Sequence, residues 1–185
     1  MRLHPEVSAR IQAQGVDPID RIVIETQEAG RRIIDKTGPL ANYADRDHCI
    51  QYMVAVPLLF GRLTADDYGD AVAAEPRIDL LRARTLVVEN PDFTRDYFDP
   101  DKRYIGNAVQ VFFADGTATE KVSIDYPVGH RRRRSEGIPL LMSKFERAIT
   151  PRLPALQAEM LLSLCREPER FDRMAVTRLM AMLQG

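Results

Sequence analysis

The apolar positions of this chain change period along its length. From Arg21 to Thr26, the consecutive β-branched residues Ile22, Val23 and Ile24 predict a strand. From Asp45 to Gly61 the spacing is helical, and Cys49, Ile50, Met53, Val54, Val56, Pro57, Leu58 and Phe60 leave few polar faces. That pattern predicts one long buried helix. Asp45 or Asp47 caps it, Pro57 kinks it, and Gly61 stops it. From Ala108 to Tyr126 the period falls to two: Val109, Val111 and Phe113 alternate with Ala108, Gln110 and Phe112. Asp115-Gly116 follows as a two-residue turn pair, and Val122, Ile124 and Tyr126 alternate on the return, which predicts a β-hairpin. From Ile138 onward helical spacing resumes through Leu141, Phe145, Ala148 and Ile149, then Leu156, Met160, Leu161 and Leu164. Pro151, Pro154 and Pro168 divide this stretch into three or four short helices.

Shorter signals fill the gaps. Glu6 to Gln14 reads as a helix stopped by Gly15, and Asp35 to Leu40 as a loop rich in turn residues. Thr64, followed by Ala65, Asp66 and Asp67, reads as the capped start of a short helix. Pro76 opens another over Arg77 to Arg82, and Leu86 to Val88 reads as a strand. Asn90 to Lys102, rich in Pro and Asp, reads as loop. The sum is an α+β chain: a small mixed domain over residues 16–135, holding the hairpin and the long buried helix, then a C-terminal helical segment over 136–185.

Composition narrows the function classes. The 26 basic and 27 acidic residues leave a net charge of -1, which gives no reason to expect a nucleic-acid partner. The longest apolar run, Met53 to Phe60, falls far short of the roughly 20 residues that span a bilayer, so no membrane partner is expected. Met1 to Pro5 lack the apolar core of a signal peptide. Cys49 and Cys165 are far apart and neither belongs to a CxxC pair, so a disulfide framework, a zinc site and an iron–sulfur cluster are all unsupported. Two free thiols suit a reducing compartment, and the expectation is a cytoplasmic protein.

Three segments together resemble one family. They are Ile33-Ile34-Asp35-Lys36-Thr37-Gly38-Pro39-Leu40, then Ala44-Asp45-Arg46-Asp47-His48-Cys49-Ile50-Gln51-Tyr52-Met53 running on to Thr64, and Tyr126-Pro127-Val128-Gly129-His130 with Arg131 to Arg134 and Gly137-Ile138-Pro139. Their order and spacing resemble the C-terminal region of the MmgE/PrpD family of hydro-lyases, with Tyr43 standing where a proline is expected. The resemblance implies that residues 1–15 end a segment of a large helical domain, that 16–135 form a lid, and that 136–185 are helices returning to pack on that first domain. It further implies an N-terminal helical domain of the same enzyme as partner, a homodimer, and a small tricarboxylate substrate. The implied reaction is cofactor-free removal of water from 2-methylcitrate to give a methylaconitate in propionate catabolism, with hydration of aconitate as a side activity. No metal is expected.

Such an elimination needs a general base for a weakly acidic proton beside a carboxylate and a general acid for the departing hydroxyl. It also needs cations for three carboxylates. His48 is the first candidate base: placed near the start of the long helix, it would be kept neutral by the helix dipole, although a capping or packing role is the plainer alternative. Tyr52, four residues on, would share its face and could donate to a substrate oxygen, or could simply be a buried phenol. Arg46 is a candidate carboxylate contact, with an ion pair at the helix start as the alternative for both it and Asp45. His130 and Arg131 follow the hairpin; in a strand or loop, alternate arginines of Arg131 to Arg134 point to opposite sides, so one or two could face substrate while others pair with acids of a neighbouring domain. Lys36, in its Gly-Pro loop, could close over an anion, or could be an ordinary exposed loop lysine. The C-terminal methionines read as core or interface filler. A non-catalytic module that dimerises through its apolar faces is the competing reading, and a basic-loop binder of nucleic acid a more remote one.

Overall fold

A computed structural model describes residues 3–184. The chain divides into two compact units, one running through Tyr126 and one beginning at Pro127. The mixed α+β class expected from the sequence is what the first unit builds.

Its centre is strand β1 (Ile19–Thr26). Before it lies helix α1 (His4–Gln14), ended by Gly15 at φ +73. After it come α2 (Glu28–Ile34), α3 (Tyr43–Asp47), α4 (Ile50–Phe60), a 3-10 turn over Ala65–Tyr68, α5 (Asp70–Ala73) and α6 (Pro76–Ala83). Strand β2 (Thr85–Glu89), helix α7 (Pro91–Phe98), and strands β3 (Asn107–Phe113) and β4 (Val122–Ile124) complete the unit. The sheet order is β2-β1-β3-β4, with β1 parallel to β2 and the other pairs antiparallel. Along β1 the residues Ile22, Ile24 and Thr26 are buried and Arg21, Val23 and Glu25 are not, the alternation of a sheet with one packed face. That face meets α1 through Val7 and Ile11, α4 through Tyr52, Ala55 and Val56, and α6 through Ile78 and Leu81, all in one core cluster.

Several elements depart from the sequence expectation. The long helix over Asp45 to Gly61 is two helices, α3 and α4, separated at His48 and Cys49. Cys49 is extended (φ -121, ψ 106), which turns its thiol inward to the Gln51 side chain and the Lys36 carbonyl. Periodicity does not register a one-residue reversal of this kind. The cap is Asn42, whose side chain accepts from the Asp45 N–H, and not Asp45 or Asp47. Gly61 acts as expected, left-handed at φ +70, and Pro57 lies inside an α4 that continues through it to Phe60. The segment after Asn90 is helical, not loop: Asn90 Oδ1 accepts from the N–H groups of Asp92 and Phe93, and Pro91 fills the first position, where its missing N–H costs nothing. Pro and Asp there were helix-start residues. Helix α2 was also not anticipated. The hairpin is present, but its turn is a wider loop in which the Gly116 N–H donates to Phe113 O and the Phe113 N–H to Thr117 O, with Gly116 left-handed at φ +84.

The second unit is helical: a 3-10 turn over Arg131–Arg133, then α8 (Arg134–Ile149), α9 (Ala155–Cys165), α10 (Pro168–Asp172) and α11 (Val176–Leu183). Its buried cluster is small: Ile149, Ala158, Leu161 and Leu162, lined by Met142, Phe145, Leu153, Leu179 and Met182. Gln157 Nε2 ties α9 to the end of α11 through the carbonyls of Met182 (2.6 Å) and Gln184 (2.8 Å). Ile138, Leu141, Leu156, Val176 and Met180 remain exposed. No helix among the described residues is long and apolar enough to cross a membrane.

Because Ile22 is fully buried at the middle of the packed face, Ile22→Ala should lower stability by roughly 2–5 kcal/mol. Urea unfolding checks this: a lower midpoint at unchanged slope is expected, and an unchanged midpoint would contradict the placement of the core.

Candidate functional site

The candidates of the first unit lie at the α3–α4 corner, which the crossover between β1 and β2 carries over the sheet. Arg46, in α3, is drawn inward: its side chain is 6% exposed. Nη1 donates to Tyr68 O at 2.7 Å and lies 2.7 Å from the Asp70 carboxylate. Its Nε is buried without a partner among the described residues. Arg46 thus staples α3 to the 65–70 segment. Tyr52, in α4, meets the same segment from the other side. Its hydroxyl donates to Asp67 O at 2.6 Å and its ring stacks on Tyr68 with centroids 6.0 Å apart. Burial pushes the Tyr52 phenol up from its ordinary pKa, with Arg46 opposing, so the group stays protonated and donating.

Asp67 holds this corner together. Its Oδ2 accepts from the Thr64 N–H (2.7 Å) and hydroxyl (2.9 Å), closing a capping box at the start of the 3-10 turn. Its Oδ1 lies 3.0 Å from Arg62 Nη2, an ion contact whose alignment falls short of a hydrogen bond. Burial is the largest single influence on the carboxyl and pushes its pKa up. The two Thr64 bonds and the Arg62 charge together outweigh it and hold the pKa below the usual range.

His48 sits between the two helices: it is the C-cap of α3 and directly precedes Cys49, the N-cap of α4. It does not share a helical face with Tyr52: His48 is exposed and Tyr52 is 1% exposed. The structure brings His48 Nδ1 against the Asp47 carboxylate. A carboxylate there holds the proton on Nδ1 and leaves Nε2 as the basic atom. Asp47 was missed in the sequence because adjacent residues on a helix do not face each other, and the chain leaves the helix between these two. Gln51 was missed as well. It is 3% exposed, donates to Asp35 Oδ1 at 2.6 Å and accepts from the Lys36 N–H at 3.3 Å, fixing the 35–40 loop.

In the second unit, His130 Nδ1 accepts from the Arg132 N–H at 3.2 Å and caps the turn that Arg131 to Arg133 form. The arginines are therefore neither strand nor loop, and the alternation argument fails: three residues per turn fan them around the axis. Arg133 is committed to Glu136 at 2.7 Å. Among the described residues no three His, Cys, Asp or Glu side chains gather as metal ligands.

The low pKa of Asp67 has a consequence for acid stability. Its folded value lies below the unfolded value of about 3.9, so its contribution is present above that pH and is lost as pH falls through the folded pKa. Thermal unfolding against pH should show a shallower acid loss in Asp67→Asn than in the parent; parallel curves would contradict the capping role.

The family model described as the MmgE/PrpD C-terminal domain matches residues 1–167. A 2-methylcitrate dehydratase of Cupriavidus necator is 52% identical over 182 residues, covering 98% of this chain and 37% of the relative. The mitochondrial 2-methylcitrate dehydratase of Yarrowia lipolytica is 53% identical, covering 88% and 31%, and that of Escherichia coli K12 is 52% identical, covering 85% and 33%. The chain spans about a third of the length of the curated relatives it matches.

Proposed function

We propose a function from one premise: the chain belongs to the MmgE/PrpD family and carries that family's C-terminal domain. It acts as the C-terminal part of a 2-methylcitrate dehydratase, removing water from 2-methylcitrate in propionate catabolism without a cofactor, with aconitate hydration as a side activity. The observation that carries this reading is 52% identity across 98% of the chain to a protein of that name. Residues 16–135 serve as the lid, and residues 1–15 end a segment of the helical domain. Residues 136–185 supply helices that pack on an N-terminal helical domain, a role supported by the exposed apolar side chains of Ile138, Leu141, Leu156, Val176 and Met180.

The reaction breaks a C–H bond beside a carboxylate and the neighbouring C–OH bond, and forms a C=C bond and water. His48 Nε2 takes the proton, with Asp47 holding the imidazole in the required tautomer. Arg46 and Tyr52 act as positioning residues, since both are spent on the 65–70 segment, and that frame sets the turn from which His48 projects. His130 and Arg131 are assigned to substrate carboxylates, for which a guanidinium offers two parallel donors. The proton for the departing hydroxyl comes from the N-terminal domain.

A chimera tests the assignment. This chain replaces the matching C-terminal third of the Cupriavidus necator enzyme, and formation of the unsaturated product is followed by absorbance. Dehydration of 2-methylcitrate is expected, with His48→Ala lowering kcat by about 10²-fold or more. A folded chimera that leaves 2-methylcitrate intact would count against the function, and full activity in His48→Ala against the base.

A further inference from the structure

The 35–40 loop and the end of α6 line an open cavity of about 360 Å³ that has no role in the proposed function. Its wall brings together Lys36, Thr37 and Gly38 of the loop, Gln51 of α4, and Asp79 and Arg82 of α6. Arg82 sets its character. Its side chain is 9% exposed, whereas its counter-charge Asp79 is 70% exposed. Water therefore screens the carboxylate far more than the guanidinium. Nη2 donates to Gly38 O at 2.8 Å, and Nε is buried without a partner among the described residues. A guanidinium is charged across the working pH range. Here it is desolvated, only partly satisfied, and borders an open cavity, so negative charge in that cavity is stabilised.

Lys36 adds a mobile cation. Its ammonium lies 3.6 Å from Asp45, beyond hydrogen-bond length, on a side chain 36% exposed, so it can swing toward the cavity. Thr37 contributes a hydroxyl at the wall. The wall itself is preformed. Gln51 is held by Asp35 and accepts from the Lys36 N–H, while Arg82 holds Gly38, so both ends of the lining loop are fixed. Asp79, the acid among the lining residues, is already engaged by Arg82; Asp45 lies beside Lys36, and Asp35 is bonded to Gln51.

We propose that this cavity binds a small multivalent oxyanion, a polycarboxylate or a phosphate, between Lys36 and Arg82. The site needs no dehydratase chemistry and stands or falls apart from it.

The test is a titration of the purified chain with citrate and, separately, inorganic phosphate at matched ionic strength, following the backbone amides of Thr37 and Gly38 by NMR. Saturable shifts are expected with at least one of the two, and the ligand that saturates identifies the chemistry. Lys36→Met, a change in an exposed loop that leaves the core untouched, should weaken binding about tenfold, as loss of one charge-assisted contact does, while Lys36→Arg should retain it. No saturation with either anion, or saturation that Lys36→Met leaves unchanged, overturns the proposal.

Discussion

Parallel pairing of β1 with β2 is the constraint on which the first unit depends. Two parallel neighbours cannot be joined by a tight turn, so the chain between Thr26 and Thr85 has to cross over the sheet. The buried row of Ile22, Ile24 and Thr26 decides which face it covers. Helix α4, apolar on most sides, is the segment best able to bury that row, and it drags α3, the 65–70 segment and α6 along with it. The position of His48 follows from this arrangement. The crossover must turn between a short polar helix and a long apolar one, and His48 stands at that turn.

Much of this was readable in the residues. β-branched runs marked β1 and β2, alternation marked the hairpin strands, and Gly15, Gly61 and Pro76 marked helix ends, because each signal is local and rests on backbone geometry that few residue types satisfy. What escaped depends on contacts between segments distant in sequence. The break between α3 and α4 is fixed by Cys49 and Gln51 reaching the Lys36 loop. The burial of Arg46 is fixed by Tyr68 and Asp70. Helix α7 is a different case. Its start carried a favourable cap and Pro91, but the abundance of Asp and Pro read as loop because those residues favour both. Among the site candidates, His48, Tyr52 and Arg46 were legible as neighbours at one corner, α3–α4, but not their arrangement there: an exposed His48 beside Asp47, and an inward Arg46 and Tyr52.

The two units differ in how far they complete themselves. The first encloses its core between a sheet face and three helices. Among the described residues the second has five buried apolar side chains, four of them in one cluster, and leaves many large ones in water. Together with a length about a third of its relatives', this fits a chain whose helices finish their burial against further protein. Under the proposed function the chemistry would be shared: the base and its orienting carboxylate would come from this chain, and the remaining acid from the N-terminal domain.

The most direct measurement of that sharing is complementation by mixing. The N-terminal two-thirds of the Cupriavidus necator dehydratase, prepared without its own C-terminal part, is titrated with this chain while 2-methylcitrate dehydration is followed. The account predicts little turnover from either piece alone and turnover that rises and saturates as the chain is added. Dehydration by this chain alone, or none in a mixture of two folded pieces, would contradict it.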